Sequence, residues 1–255
     1  MGSSMICIGT SGFNHDDWVD TFYPADLPKH KWLVHYAHEF DTCEIDSTYH
    51  AVPKPANLRT MARKTGDAFL FSIKAKQEMT DRTEGNEAIF DAFREAIEPL
   101  VEMRRLGCVL ALFPYTFQLN RQNWDYLKVF KQRLNTLPVV VEFRNGQWLR
   151  DEVFGWLRNL GLGFCCVDES LVSKRPPPAE ATGRISYVRF PGRGRSGKRQ
   201  PAGKHDYTYS RAELAEWVPR IRKLESMSDR TFIFAGNHAR GQAIGTVHQL
   251  RTMLA

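Results

Sequence analysis

No run of apolar residues in this chain approaches the ~18 that a membrane-crossing helix needs, so a helical membrane protein is not expected. No signal-peptide pattern precedes the first strand-like segment either. Cysteine is scarce: Cys7, Cys43, Cys108, Cys165 and Cys166 are odd in number, form no C-x-x-C pair and sit in apolar runs. That pattern fits buried free thiols in a reducing compartment better than a disulfide framework or a zinc ribbon. No cysteine has a histidine beside it, and "GTSG" lacks the G-x-S-x-G spacing, so covalent catalysis by Cys or Ser has little support. Internal repeats, low-complexity tracts and dividing linkers are also missing. A single cytoplasmic domain over 5–255 is therefore expected, with Met-Gly-Ser-Ser at 1–4 set aside as an expression scar.

What is present suits one α/β domain. The 255 residues are 42% hydrophobic, enough for a substantial core. Short β-branched or aromatic runs fall at 5–10, 42–48, 69–75, 108–113, 139–144, 163–168, 185–190 and 231–237. Amphipathic segments separate most of them: Trp32 to Phe40, Ile89 to Leu100, and a helix running from the capping box Ser210-x-x-Glu213 through Leu224. Eight strands alternating with helices imply a parallel sheet. At this length a single (β/α)8 TIM-type barrel is the first expectation and an open doubly wound sheet the second.

Strand side chains alternate between faces, so parity sorts the charges. Phe69, Phe71, Ile73 and Ala75 share one face of the third strand, and Ser72 and Lys74 the other. Glu44 and Asp46 oppose Cys43 and Ile45, while Glu142 and Arg144 oppose Val141 and Phe143. The seventh strand offers Tyr187 and Arg189, the sixth ends in Asp168 and the eighth in Asn237, with His238 directly beyond. Charges gathered at the C-terminal ends of barrel strands point to a site there, because a buried charge is costly unless paired or used. Glu44, Glu142, Lys74 and Asp168 are the catalytic candidates. Arg144, Arg189, Asn237, Asp46, Tyr187 and His238 are the substrate-binding candidates, Arg144 and Arg189 forming with Lys74 a clamp for a phosphate or carboxylate. Lys74 among other cations could also act through its amine.

A salt-bridge network that merely plugs the barrel, for instance Glu142 with Arg189, is the alternative. The carboxylates Glu44, Asp46, Glu142 and Asp168 would suit Mg or Mn, but Lys74, Arg144 and Arg189 neutralise them without an ion, so no cofactor is expected and no metal ligand is assigned. His35 and His38 lack metalloprotease spacing, and His50 reads as a loop residue.

Much of the excess positive charge, +6 in all, sits in "RFPGRGRSGKRQPAGK", which matches G-x-G-x-x-G literally and falls one hydroxyl short of a Walker A loop. Both motifs need a helix to start at once, whereas Pro201 and Gly203 intervene before Ser210. What remains is a basic loop in which Arg193, Arg195, Lys198, Arg199 and Lys204 could recruit DNA or RNA, with Tyr207 and Tyr209 nearby to stack on bases or to pack the loop.

The segments "IGTSGFNHDDWVDTFYP", "CEIDSTYH", "FSIKAK", "VVEFRNGQW", "YVRFPGR" and "FAGNHARGQA", in this order, resemble the YecE-like family (domain of unknown function 72) over nearly the whole chain. The resemblance implies a (β/α)8 barrel with a pocket lined by Glu44, Lys74, Glu142, Arg144, Asp168, Arg189 and Asn237. It supplies no reaction. The chain departs from the family's pattern where Pro191 replaces a histidine after the seventh strand, where Gly236 replaces the first of two asparagines after the eighth, and where Phe13 follows Gly12 in place of tryptophan. An enzyme of hydrolase or isomerase type acting on an anionic small molecule is the leading expectation. A nucleic-acid-binding protein and an inactive barrel scaffold are the alternatives.

Overall fold

The computed structural model describes residues 5–169, 177–193 and 205–255. Its strands are β1 (Met5–Ser11), β2 (Thr42–Ile45), β3 (Leu70–Lys74), β4 (Leu106–Phe113), β5 (Val139–Phe143), β6 (Gly163–Val167), β7 (Ile185–Phe190) and β8 (Arg230–Ala235). Every neighbouring pair is parallel and β8 bonds back to β1, so the sheet closes into an eight-stranded barrel of the TIM type. The strands coincide with the apolar runs because a sheet buried on both faces leaves no alternation of polar residues.

The helices are α1 (Trp32–Glu39), α2 (Pro55–Lys64), α3 (Gln77–Asp81), α4 (Glu87–Glu102), α5 (Arg121–Arg133), α6 (Asp151–Leu160), α7 (Arg211–Ala215), α8 (Val218–Ser226) and α9 (Gln242–Leu254). Among the described residues the β6–β7 connection contributes no helix. The helix expected from Ser210 to Leu224 is two, α7 and α8. The capping box of Ser210 and Glu213 forms as the sequence implies, but Pro219 lies in the first turn of α8. A proline has no N–H to give to the preceding turn, so a helix can begin there but not run through.

Two cores result. Phe71, Ile73, Val141, Val188 and Ile233 face outward and pack under the helices, against side chains such as Trp32, Phe93, Leu127 and Leu224. Cys7, Leu70, Cys108, Leu110, Val140, Cys165, Tyr187, Phe232 and Phe234 face inward and fill the barrel. Gly107 is required by that filling: a Cβ there would lie 2.7 Å from the Phe232 ring. All five cysteines are free and buried. Burial pushes the Cys7 thiol up to about 11 and that of Cys108 up to about 12, which leaves them unreactive as nucleophiles. No helix among the described residues is long and apolar enough to cross a membrane.

Candidate active site at the barrel mouth

Above the apolar filling, the inward positions turn polar. Glu44 on β2, Glu142 on β5 and Arg189 on β7 are buried together. The Arg189 fork divides between two partners: Nη2 donates to Glu44 Oε1 at 2.9 Å and Nη1 to Glu142 Oε2 at 2.7 Å. Arg144, one step beyond β5, approaches Glu142 Oε1 at 3.1 Å through Nη2 and pairs with Glu169 through Nη1. Glu44, Arg189, Glu142, Arg144 and Glu169 thus form a ladder of alternating sign across the mouth. Tyr187 donates to Glu44 Oε2 at 2.7 Å, and its oxygen is 2.9 Å from Ser72 Oγ.

Burial alone would push the Glu142 carboxyl up, but Arg189 and Arg144 outweigh it and hold it down at about 2. Glu142 is therefore a fixed anion near neutral pH, and its main work is to hold guanidinium groups in place. Lys74 differs. Its Nζ lies 4.3 Å from the centre of the Tyr49 ring, and the ammonium forms no ion pair or hydrogen bond among the described residues. All 29 Asp and Glu of the chain are among those residues, so the missing carboxylate is not hidden elsewhere. Burial lowers its pKa from the ordinary lysine value, and the neighbouring charge of Arg189 lowers it further.

Other expected residues stand outside this group. Asp168 shares the outward parity of Cys166 and accepts from Arg193 Nε at 2.9 Å, Arg193 Nη2 at 3.1 Å and Trp217 Nε1 at 2.9 Å. The inward residue at the end of β6 is Glu169, in step with Cys165 and Val167; strict parity would have found it. Asn237 is buried on the outer side, donating to the carbonyl of Tyr207 at 2.8 Å and to Thr246 Oγ1 at 3.0 Å. Asp46 is exposed in the turn after β2. Among the described residues no group of three or more His, Cys, Asp or Glu could hold a metal ion.

Of the five basic-loop residues, Arg195, Lys198, Arg199 and Lys204 lie outside the described residues. Arg193 is taken up by Asp168, Glu213 and Glu216. Tyr209 is buried edge-on against Phe190, and the Tyr207 hydroxyl donates to Glu213, so both aromatics serve packing in this structure.

The sequence profile described as "Protein of unknown function DUF72" matches residues 7–255. The chain belongs to the DUF72 family. A DUF72 family protein of Thermotoga maritima MSB8 superposes with a TM-score of 0.87 at 31% identity, covering 98% of this chain and 99% of that one. One from Enterococcus faecalis V583, at 22% identity, gives a TM-score of 0.86 over 98% and 95%, a likeness of fold. The UPF0759 protein YunF of Bacillus subtilis is 27% identical over 270 residues, covering 98% of this chain and 95% of its own. These names carry no substrate, so a reaction has to be argued from the chemistry of the mouth.

Two departures from the expected DUF72 pattern meet in space. A Cβ on Gly236 would lie 3.5 Å from Pro191 Cα and 3.5 Å from Ser11 Oγ, a buried hydroxyl without a hydrogen-bond partner. His238 stands beside this point in a stack that the sequence does not announce. Its ring is 4.5 Å from that of His15, at 12°, and 4.5 Å from that of His205, at 24°. His15 continues the stack onto Trp18 at 4.6 Å. Burial lowers the pKa of His238 below the ordinary histidine value, and the nearby His15 adds to this.

A small space of about 30 Å³ lies beside Glu142, Arg144 and Glu169, lined also by Pro177 and Pro178. A cleft of about 460 Å³ opens between His15, His238 and Lys29. A larger one lies at the far end of the barrel.

Proposed function

We propose that this DUF72 protein is an enzyme that acts at the C-terminal mouth of its barrel on a small anionic molecule, such as a phosphorylated one. The observation that carries the reading is a mismatch. A network built only to plug the barrel would pair each of its charges directly, yet Lys74 has no carboxylate partner among the described residues. An ammonium without a direct ion pair at this end of the barrel is where an anionic oxygen is best received. Its lowered pKa also makes it a better proton donor to that oxygen.

The ladder gives the other residues their parts. Glu44 and Glu142 fix Arg189, and the three form a rigid, hydrogen-bonded floor beside Lys74. Tyr187 is pushed well above the ordinary tyrosine pKa by burial and by Glu44, so it remains a hydrogen-bond donor. Proton transfer in a hydrolysis or isomerisation is the chemistry that these groups support.

A second reading has its own observation. The stretches 170–176 and 194–204 contain six of the chain's 35 Lys and Arg and none of its 29 Asp and Glu, which accounts for the whole net charge of +6. Recruitment of RNA or DNA by such stretches would be strongly salt-dependent.

A thermal-shift panel of sugar phosphates, nucleotides, short oligonucleotides and divalent metals, run on wild type and on Lys74→Ala, separates the two. A small anion should raise the Tm of wild type and leave that of the variant unchanged. Stabilisation by oligonucleotides only, equal in both proteins and abolished by salt, would remove the enzyme reading in favour of the second.

A further inference from the structure

The N-terminal end of the barrel opens into a cleft of about 840 Å³, within the size range of small-molecule sites. Conserved chemistry is not expected at this end of a TIM-type barrel, so its side chains should be simply satisfied. They are not. Arg230 opens β8 with the inward parity of Phe232 and Phe234, and its guanidinium lies 6.0 Å from the centre of the Phe232 ring. Its Nε is buried without a hydrogen-bond partner. The one carboxylate lining the cleft, Asp229, is taken by Arg184 at 2.5 Å.

The charge in the cleft is one-sided. Lys131, Arg158, Arg184 and Arg230 line it against Asp229 alone. Arg158 is met from outside the cleft by Glu180 at 3.1 Å. Lys131 donates to the carbonyls of Asn135 and Leu137, which satisfies its hydrogens and leaves its charge standing. Two positive charges therefore remain uncompensated in one concave space. The rest of the wall is bare backbone at Gly161, Gly163 and Gly183, with apolar surface from Val139, Ile185 and the exposed Met227.

We propose that this cleft is a binding site for a small organic anion, a carboxylate or phosphate ester with an apolar or aromatic body, whose charged group is held by Arg230. A guanidinium beside an aromatic ring and without a carboxylate partner keeps its donors available to hold an oxyanion with two parallel bonds. Lys131 adds to the attraction, and the apolar wall receives the body of the ligand. The site is separate from the mouth and does not depend on the function proposed there.

The test is a fluorescence titration with anilinonaphthalenesulfonate, an aromatic body carrying one sulfonate, on wild type, Arg230→Gln, Met227→Glu and Lys74→Ala. Wild type and Lys74→Ala should bind it saturably with equal affinity, and benzoate and phenyl phosphate should compete. Arg230→Gln should bind roughly tenfold to a hundredfold more weakly, the worth of a charged hydrogen bond. Arg230 has no carboxylate partner to lose, so that variant should keep the wild-type Tm. If it fails to fold, Met227→Glu, which adds a negative charge at an exposed position, should weaken binding in the same way. The proposal is overturned by absence of saturable binding, by wild-type affinity in both Arg230→Gln and Met227→Glu, or by a loss confined to Lys74→Ala.

Discussion

Arg189 is the residue on which the mouth depends, since one guanidinium holds two fully buried carboxylates. Removing one member of a buried pair leaves an uncompensated charge, at a cost of about 3–5 kcal/mol. Arg189→Ala should therefore lower the Tm by on the order of 10 °C, measured by calorimetry at neutral pH. A change of a degree or two would mean that the ladder is not a strong structural element. Acid should act on the same ladder. Glu142 is held at about 2 in the fold, below its ordinary value of 4.5, so the unfolded chain binds its proton first. Its contribution is whole above 4.5 and is lost as the pH falls toward 2. The acid unfolding curve of Glu142→Gln should accordingly be flatter across that window than that of wild type. Much of this was legible, because parity alone places Glu44, Lys74, Glu142 and Arg189 inside. Asp168 and Glu169 exchange places with expectation because Asp168, one residue beyond β6, follows the outward parity of Cys166, and parity has to be carried past the strand's end to reach Glu169.

At the scale of elements, strands were easier to read than the loops that join them. A parallel strand shows itself as a local apolar run, whereas the partners of a loop are set by the closure of the whole barrel. The imidazole stack illustrates this: His15 follows β1, His205 precedes α7 and His238 follows β8, so nothing local links them. Around His238 stand His15 and His205 in the stack, Asp17 and Asp46 as the carboxylates that favour its protonation, and Lys29, which is paired with Asp16. With its folded pKa lowered, the unfolded state takes up the proton first. The stack therefore stabilises the fold above the ordinary value of 6.5 and loses that effect as the pH falls below it. Between about pH 7.5 and pH 5.5, wild type should lose more Tm than His238→Phe, in which the central ring stacks but cannot titrate. Equal losses would show that the stack is not coupled to stability.

Across the whole molecule, composition and the alternation of strands with helices made a parallel sheet legible and a closed barrel the first expectation over an open sheet, with its polar end at the C-terminal side of the strands. They could not say which charge pairs with which, since the stagger of neighbouring strands decides whether Arg189 meets Glu44, Glu142 or both. That pairing turns a clamp of three cations into two engaged arginines and one lysine without a carboxylate partner. The central claim is that Lys74 at the mouth receives an anionic ligand. The most direct measurement is a crystal structure with the small anion that most raises the Tm. The account predicts an anionic oxygen within hydrogen-bond distance of Lys74 Nζ, with the Glu44–Arg189–Glu142 ladder intact beneath it. An anion bound elsewhere, with Lys74 turned onto one of the glutamates, would contradict it.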